Sequence, residues 1–332
     1  MNADIVAASR ELKGGGVVVL PTETVYGLAA NALDGEAVRK IFTIKGRPLN
    51  NPLILHVLDS SWLERYSHVK KYSIRIEKIT GAFWPGPITV VLPKKAIIPD
   101  IVTSGSSRVA IRCPDHPIFQ AVLRTSDLPL AAPSANPFGY VSPTCIGQVK
   151  ATLGDRVKIM LDGGECAIGL ESTILDITSP VPRILRPGAI TADAISEVLG
   201  EDIIDHDVQI VSENPSAPGQ LKQHYCTDTR LVLFEHGSRE LSQYFAGKTA
   251  IVFMQRPKNF DGIAKKLQLP AEAIFWFSDD GNLNVVARNL FSTLQRLDSA
   301  HYNAILCERP PRAGIGIAID DRLLRAAAKF KQ

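Results

Sequence analysis

Cysteine is scarce in this chain of 332 residues: only Cys113, Cys145, Cys166, Cys226 and Cys307 occur. Their number is odd, their spacing is wide and there is no CxxC. That argues against both a zinc site and a disulfide framework and leaves free thiols in a reducing compartment. No run reaches the ~18–20 consecutive apolar residues of a membrane span. The opening stretch MNADIVAASRELKGGG lacks a basic segment followed by an apolar one, so no secretory signal is expected. A cytoplasmic location with no membrane contact is the expectation by elimination. One-sided charge is lacking too, since 37 Lys and Arg against 34 Asp and Glu leave a formal charge of +3. A nucleic-acid binder cannot be argued from that balance, although a local basic pocket can. With 24 Gly and 22 Pro the chain is neither fibrous nor disordered. Walker A, kinase HRD and DFG, HExxH and GxSxG motifs are all absent, so an enzyme using a nucleotide here is not a P-loop protein.

What is present fits about two domains of ~100–200 residues each. Residues 3–13 read as a helix ended by Gly14, Gly15 and Gly16, followed by a buried strand over Val17–Leu20. Asp34 is placed to cap a helix over 35–46. Further strands are expected at 53–58, 88–92, 109–112, 130–132, 157–161, 172–177 and 183–185. Helices are expected near 60–67, 73–82, 115–125, 145–153 and 191–199. Strict βαβ alternation is missing, which points to a twisted mixed sheet with helices packed on it. Between about 205 and 229 the hydrophobic pattern fails, marking a boundary. Beyond it, strands at 230–234, 249–254, 273–277 and 303–307 alternate with helices near 238–246, 258–267, 287–298 and 319–330. That is the rhythm of a small Rossmann-like domain, without GxGxxG after its first strand. The expected division is 1–205, a linker over 206–229, and 230–332.

Five stretches could carry chemistry. Pro21-Thr22-Glu23-Thr24-Val25-Tyr26-Gly27 ends a buried strand, where ligands of α/β sheets bind. It reads as a hydroxyl-lined substrate site or as a plain turn with Glu23 solvated. Lys45-Gly46-Arg47-Pro48, then Asn50-Asn51-Pro52, places two cations where a helix should end. They suit a phosphate clamp, or simply the helix dipole. His56, within LILHVL, reads from its surroundings as a core histidine. Arg108 and Arg112 are four apart on a strand and so share one face. Two such cations on a buried strand are costly unless anions meet them. The segments Ala132-Pro133-Ser134-Ala135-Asn136 with Ser142, and Glu171-Ser172-Thr173 with Arg183 and Arg186, are again strand ends bearing hydroxyls and cations. Together these features suit a cavity for a phosphorylated ligand.

The motifs PTETVYGLAANA, KGRPLNNPLILHV, FWPGPITVVL, VAIRCPDHP, APSANPFGYVSPT, LDGGECAIGLESTILDI and RILRPGAI occur in that order through about residues 10–200. In this order they resemble the YrdC-like threonylcarbamoyl-AMP synthases. The pairs Lys45-x-Arg47 and Ser134-x-Asn136 match that family's signature. The tail NLFSTLQRLDSAHYNAILCERPPRAGIGIAIDDRLLRAA is similar to the C-terminal domain of its long, two-domain form. The resemblance implies a YrdC-like twisted mixed sheet with helices around an open cavity, plus a smaller Rossmann-like α/β C-terminal domain.

It also implies an activity. The family, a group of nucleotidyltransferases, joins L-threonine, bicarbonate or CO2, and ATP, with Mg2+, into threonylcarbamoyl-AMP and pyrophosphate. A downstream transferase then places the threonylcarbamoyl group on an adenosine of tRNA. Carried over by motif, Thr24, His56, Arg112, Ala132 (through its backbone) and Ser172 would hold L-threonine. Arg47, Asn51, Arg108, Ser134, Ser142, Arg186 and Tyr225 would hold ATP. Lys45 and Arg47 would be the catalytic cations, and Asn136 is placed by its motif. On this implication His56 becomes a pocket residue. The linker departs from the family's usual SPGMKYRHYAP: Ala217 stands for the first serine and Cys226-Thr227 for the final Ala-Pro. Residues 206–229 are expected to form a lid over the first domain. Two other readings remain. One is a double-stranded RNA or tRNA binder using the same basic concavity. The other is a carbamoyl-transfer enzyme, whose relatives carry acylphosphatase and zinc-finger segments of which the cysteine pattern here gives no sign.

Overall fold

Short apolar runs cut by proline, glycine and polar turns favour many brief strands in the first half of the chain. The computed structural model describes residues 3–205, 218, 224–237, 248–267 and 269–330. Most of the expected lid, residues 206–217 and 219–223, and the expected helix over 238–246 lie outside the described residues. The chain divides into two units. One comprises Met1–Phe138, Ser142–Ala167 and Glu171–Leu221; the other comprises Gly139–Val141, Ile168–Leu170 and Lys222–Gln332.

The first unit holds nine described strands: β1 (Val18–Leu20), β2 (Gly27–Asn31), β3 (Ile54–His56), β4 (Ile88–Pro93), β5 (Arg108–Arg112), β6 (Leu130–Ala131), β7 (Ile159–Met160), β8 (Thr173–Asp176) and β9 (Arg183–Arg186). They form one mixed sheet in the order β7-β1-β2-β6-β3-β5-β4-β8-β9. Its helices are α1 (Ala3–Lys13), α2 (Gly35–Lys45), α3 (Leu63–Tyr66), α4 (Ser73–Phe83), α5 (Asp100–Thr103), α6 (Pro117–Ser126), α7 (Ile146–Leu153) and α8 (Ala192–Leu199). Strand β2 departs from the sequence expectation, which left 27–31 unassigned. Its residues GLAAN have low strand propensity, and pairing on both sides, antiparallel to β1 and to β6, makes them a strand.

Strand periodicity sorts the core. Leu55, Val90, Leu92, Val109, Ile111 and Leu175 face a large cluster that includes Val38 and Ile41 of α2 and Ile79 of α4. On the opposite face, Val18, Leu20, Ala29 and Leu130 pack beneath Ala8 and Leu12 of α1 and Phe119 and Leu123 of α6. Farther along that same face, Ile54, Val91, Ala110, Ile174 and Leu185 form a cluster drawn from strands alone. Among the described residues of this unit, the sheet therefore has helix cover on one side along its length, and on the other side beside β1, β2 and β6.

The second unit holds β10 (Arg230–Phe234), β11 (Thr249–Gln255), β12 (Ile274–Ser278) and β13 (Ala304–Glu308), ordered β10-β13-β11-β12 with every described pairing parallel. Helices α9 (Phe260–Leu267), α10 (Leu283–Ser299) and α11 (Gly316–Ala327) accompany them. Helix α10 starts four residues earlier than its apolar periodicity suggests, because the Asn282 side chain caps it by accepting from the Asn284 N–H at 2.9 Å. No described helix is long and apolar enough to cross a membrane. All five cysteines are free thiols.

Candidate active site

Strand β1 ends at Leu20, paired with Gly27 of β2, and the intervening PTETVY folds into a tight hydroxyl-braced loop. Thr22 Oγ1 accepts from the N–H groups of Thr24 (3.0 Å) and Val25 (3.1 Å) and donates to the Val25 carbonyl at 2.7 Å. Thr24 Oγ1 lies 2.8 Å from Thr22 Oγ1. This turn sends Glu23 inward. The carboxylate, read from sequence as solvated in a plain turn, is 9% exposed. It accepts from Arg112 Nη2 at 2.5 Å and from the Asp115 N–H at 3.0 Å.

Arg112 closes β5. Its guanidinium donates through Nε to the Gly86 carbonyl (3.3 Å) and through Nη2 to Glu23 and to Thr24 Oγ1 (2.9 Å). Nη1 has no hydrogen-bond partner among the described residues. Across the sheet Arg112 stands in register with His56 of β3 and Thr89 of β4. Burial, followed by the charge of Arg112, pushes His56 down to about 3, so the imidazole is neutral. Its Nδ1 lies 3.2 Å from the Ile54 carbonyl, and its ring centroid lies 5.2 Å from that of Phe119. At the start of β5, Arg108 shares this face and pairs with Asp176 at 2.6 Å. Buried Arg112 and the more exposed Arg108 thus both meet anions, but the anions are the protein's own carboxylates. Between them lies the floor of Ile54, Val91, Ala110, Ile174 and Leu185. A cavity of about 550 Å³ opens at the Arg108 end, lined by Asp176, Val181, Arg183 and Leu185 among others.

A second group gathers where α2 ends. Gly46, at φ 62°, takes the left-handed conformation that closes the helix, its N–H reaching the Thr43 carbonyl while the Arg47 N–H reaches Phe42. That reversal leaves both Lys45 and Arg47 buried. Lys45 Nζ donates to the Ser134 carbonyl at 2.6 Å and to the Asn136 carbonyl. Burial, and then the charge of Arg47, holds its pKa well below the usual lysine value. Arg47 donates to the carbonyls of Asn51 (3.1 Å) and Pro52 (2.8 Å). Neither polar atom of the fully buried Asn51 amide has a partner among the described residues.

Beside β6, the Ala132 N–H bonds the Ile54 carbonyl at 3.2 Å, and Ser134 bridges to Gly27. Asn136 Nδ2 donates to the Pro137 carbonyl at 2.8 Å. Ser142 Oγ donates to Glu171 Oε1 at 2.6 Å. Ser172 Oγ lies 2.7 Å from Thr89 Oγ1, and Arg186 grips the Ser172 carbonyl through Nε (3.1 Å) and Nη2 (2.9 Å). Gly188 makes this possible, because a Cβ there would sit 2.3 Å from the Thr173 nitrogen.

The structure therefore joins Thr24, Arg112, Thr89, Ser172 and Arg186 into one hydrogen-bonded and cross-strand band, with His56 in register. Lys45, Arg47, Asn51, Ser134 and Asn136 form a neighbouring group tied in through the Ser134 carbonyl. Tyr225 belongs to the second unit, where it is buried at φ 64°, stacked on Phe291 at 5.4 Å, with the Arg322 guanidinium 5.3 Å from its ring. Thr89 has no signal in the sequence, and Glu23 and Glu171, though inside stretches that could carry chemistry, are given no site role there. For Glu23 a signal existed, a carboxylate between two threonines at a strand end. Burial raises the thiols of Cys113, to about 11, and Cys166, to about 12, which keeps both protonated and unsuited to nucleophilic attack. The band offers cations, hydroxyls and backbone donors without a covalent nucleophile, which suits a transfer reaction run by positioning and charge stabilisation.

The chain is similar to known proteins in sequence and in fold. Residues 10–188 match the family described as "Telomere recombination", and residues 190–328 match the C-terminal domain of threonylcarbamoyl-AMP synthase. The threonylcarbamoyl-AMP synthase of Pyrococcus abyssi is 37% identical over 317 residues, covering 95% of this chain and 92% of that protein. The Bacillus subtilis enzyme of the same name is 38% identical, covering 97% and 92%. The solved structure of P. abyssi Sua5 complexed with L-threonine superposes with a TM-score of 0.87 at 35% identity, covering 97% of this chain and 94% of that one.

Proposed function

This chain belongs to the threonylcarbamoyl-AMP synthase family, and we propose that it joins L-threonine, bicarbonate and ATP into threonylcarbamoyl-AMP with release of pyrophosphate. The product would feed a downstream transferase that modifies tRNA, in the cytoplasm. One observation carries the reading: an apolar floor on a single sheet face, bounded by Arg112 with a free Nη1 at one end and by Arg108 beside a cavity at the other. An amino acid and a nucleotide can lie end to end on such a floor.

In this reading Arg112 takes the threonine carboxylate through Nη1, while Thr24, neutral His56, the Ala132 backbone and Ser172 surround the rest of the amino acid. Arg47, Asn51, Arg108, Ser134, Ser142 and Arg186 hold ATP. The threonine amine condenses with bicarbonate to a carbamate and water. A carbamate oxygen then attacks the α-phosphorus, and the bond from that phosphorus to the bridging oxygen of pyrophosphate breaks. Lys45, held between two carbonyls, fixes the 134–136 turn against α2, and Arg47 adds charge near the phosphates. No three His, Cys, Asp or Glu side chains converge among the described residues. Mg2+ would thus be held mainly by phosphate oxygens, where it would offset their charge. A direct RNA-binding role finds little support, because most candidate cations are buried and engaged within the unit.

The test is pyrophosphate release from the purified protein with threonine, bicarbonate and ATP omitted in turn. Release is expected only with all three. Release without threonine, or salt-sensitive RNA affinity without turnover, would overturn the reading.

A further inference from the structure

We infer that Glu23 and Arg112 together read a zwitterion: Glu23 takes the ammonium of an α-amino acid, and the pair turns away an anion that has none. The inference rests on the assignment of this pocket to L-threonine and adds to it the partner of the amine.

The geometry assigns the two halves. Arg112 has one nitrogen bonded to the Gly86 carbonyl and one to Glu23 and Thr24, which leaves Nη1 for a ligand carboxylate. Glu23 receives one donor on each oxygen, Arg112 Nη2 on Oε1 and the Asp115 N–H on Oε2. A carboxylate has about four acceptor sites, so two remain. The first unit buries two other carboxylates, and both are engaged elsewhere. Asp176 is held by Arg108 and Thr178, and Glu171 accepts from Ser142. Of these three, Glu23 is the carboxylate bonded to Arg112.

Charge balance supplies the selectivity. Before a ligand arrives, Glu23 already neutralises Arg112 at 2.5 Å, and both side chains are nearly shut off from water. A second carboxylate at Nη1 meets an arginine whose charge is cancelled and a Glu23 charge that water screens poorly. An α-amino acid brings its own cation to the free acceptor sites and restores the balance. A hydroxy acid of the same shape brings only a hydroxyl.

The experiment compares two ligands on two full-length proteins. L-threonine and the analogue with hydroxyl in place of amine, 2,3-dihydroxybutanoate, are titrated calorimetrically into wild type and Glu23→Gln. ATP affinity reports an intact fold. Wild type should prefer L-threonine at least tenfold. Glu23→Gln should weaken L-threonine by roughly ten- to a hundredfold while the hydroxy acid holds or gains, so that the preference collapses. An equal loss for both ligands would mean that Glu23 only props Arg112, and overturns the inference, as does no loss at all. Failure of wild type to bind L-threonine would remove the pocket assignment itself, a distinct result. Should Glu23→Gln not fold, Glu23→Asp keeps the charge and must keep the preference. Loss of preference there, with ATP binding intact, also overturns the inference.

Discussion

Two arginines, each at the carboxyl end of a central strand, behave differently in the two units. Arg112 uses Nε and Nη2 within the protein and leaves Nη1 open. Arg309, just after β13, uses all three nitrogens: Nε and Nη2 on Asp320 at 2.8 and 2.7 Å, and Nη1 on Glu235. The same contrast recurs around them. The second unit pairs buried Asp321 with both Arg322 (2.8 Å) and Arg325 (2.9 Å), and gives buried Glu308 the Met254 N–H and His236. The first unit leaves both ends of the Asn51 amide without a partner among the described residues. The second unit likewise leaves Gln295 Oε1 without a partner among the described residues. Buried polar groups cost free energy until they are bonded. A donor or acceptor left open is available to a ligand, whereas a closed network holds only the fold.

The largest expected effect comes from truncating either arginine. Arg112→Ala leaves Glu23 buried without its cation, and Arg309→Ala leaves buried Asp320 only the more exposed Arg312, 3.7 Å away. Each should lower the unfolding free energy of its unit by about 3–5 kcal/mol in urea melts. Only Arg112→Ala should also abolish threonine-dependent pyrophosphate release by the folded fraction. If Arg309→Ala loses threonine use to the same degree, the contrast between the units breaks.

A smaller effect sharpens the contrast from the other side. Asn51→Ala removes an amide with no partner among the described residues, so the ligand-free melting temperature should hold or rise. ATP use should nevertheless fall by about 1.5–3 kcal/mol, the range for hydrogen bonds to charged groups. A clear drop in melting temperature with unchanged ATP dependence would show that the amide serves the fold.

A further effect is a pH slope, modest per unit of pH. His56 is pushed down to about 3 in the folded protein, against an ordinary value of 6.5. The unfolded chain takes up that proton first, so the contribution of His56 to stability is complete above pH 6.5 and is lost as pH falls toward 3. The slope is about 1.4 kcal/mol per pH unit within that window. Denaturation of wild type against His56→Gln between pH 4 and 7 measures it. Parallel curves would mean that the imidazole is solvated and the pocket wetter than the packing against Phe119 indicates.

Much of this architecture is legible in local sequence. Asp34 and Gly46 bound α2 because one supplies a capping carboxylate and the other a left-handed turn. The strand ends carrying Thr24, Arg112 and Ser172 are where an α/β sheet places ligand groups. Other features are not legible. Strand β2 depends on neighbours on both sides, and the burial of Glu23 depends on an arginine 89 positions away. Thr89 sits in an apolar strand, and nothing local marks its hydroxyl as the partner of Ser172, 83 positions on.

Sequence by itself determined which residues are available and on which face they lie, because a period of two places Arg108 and Arg112 together whatever surrounds them. It also carried the family resemblance, through motifs in a fixed order. Tertiary structure alone decided which donors are used up. Hydrogen-bonding capacity is closed by whatever the fold brings within about 3 Å, and for Arg112 that partner is a carboxylate from a different strand end. The nitrogen left over, and the carboxylate left beside it, are properties of that meeting and of no stretch of chain taken alone.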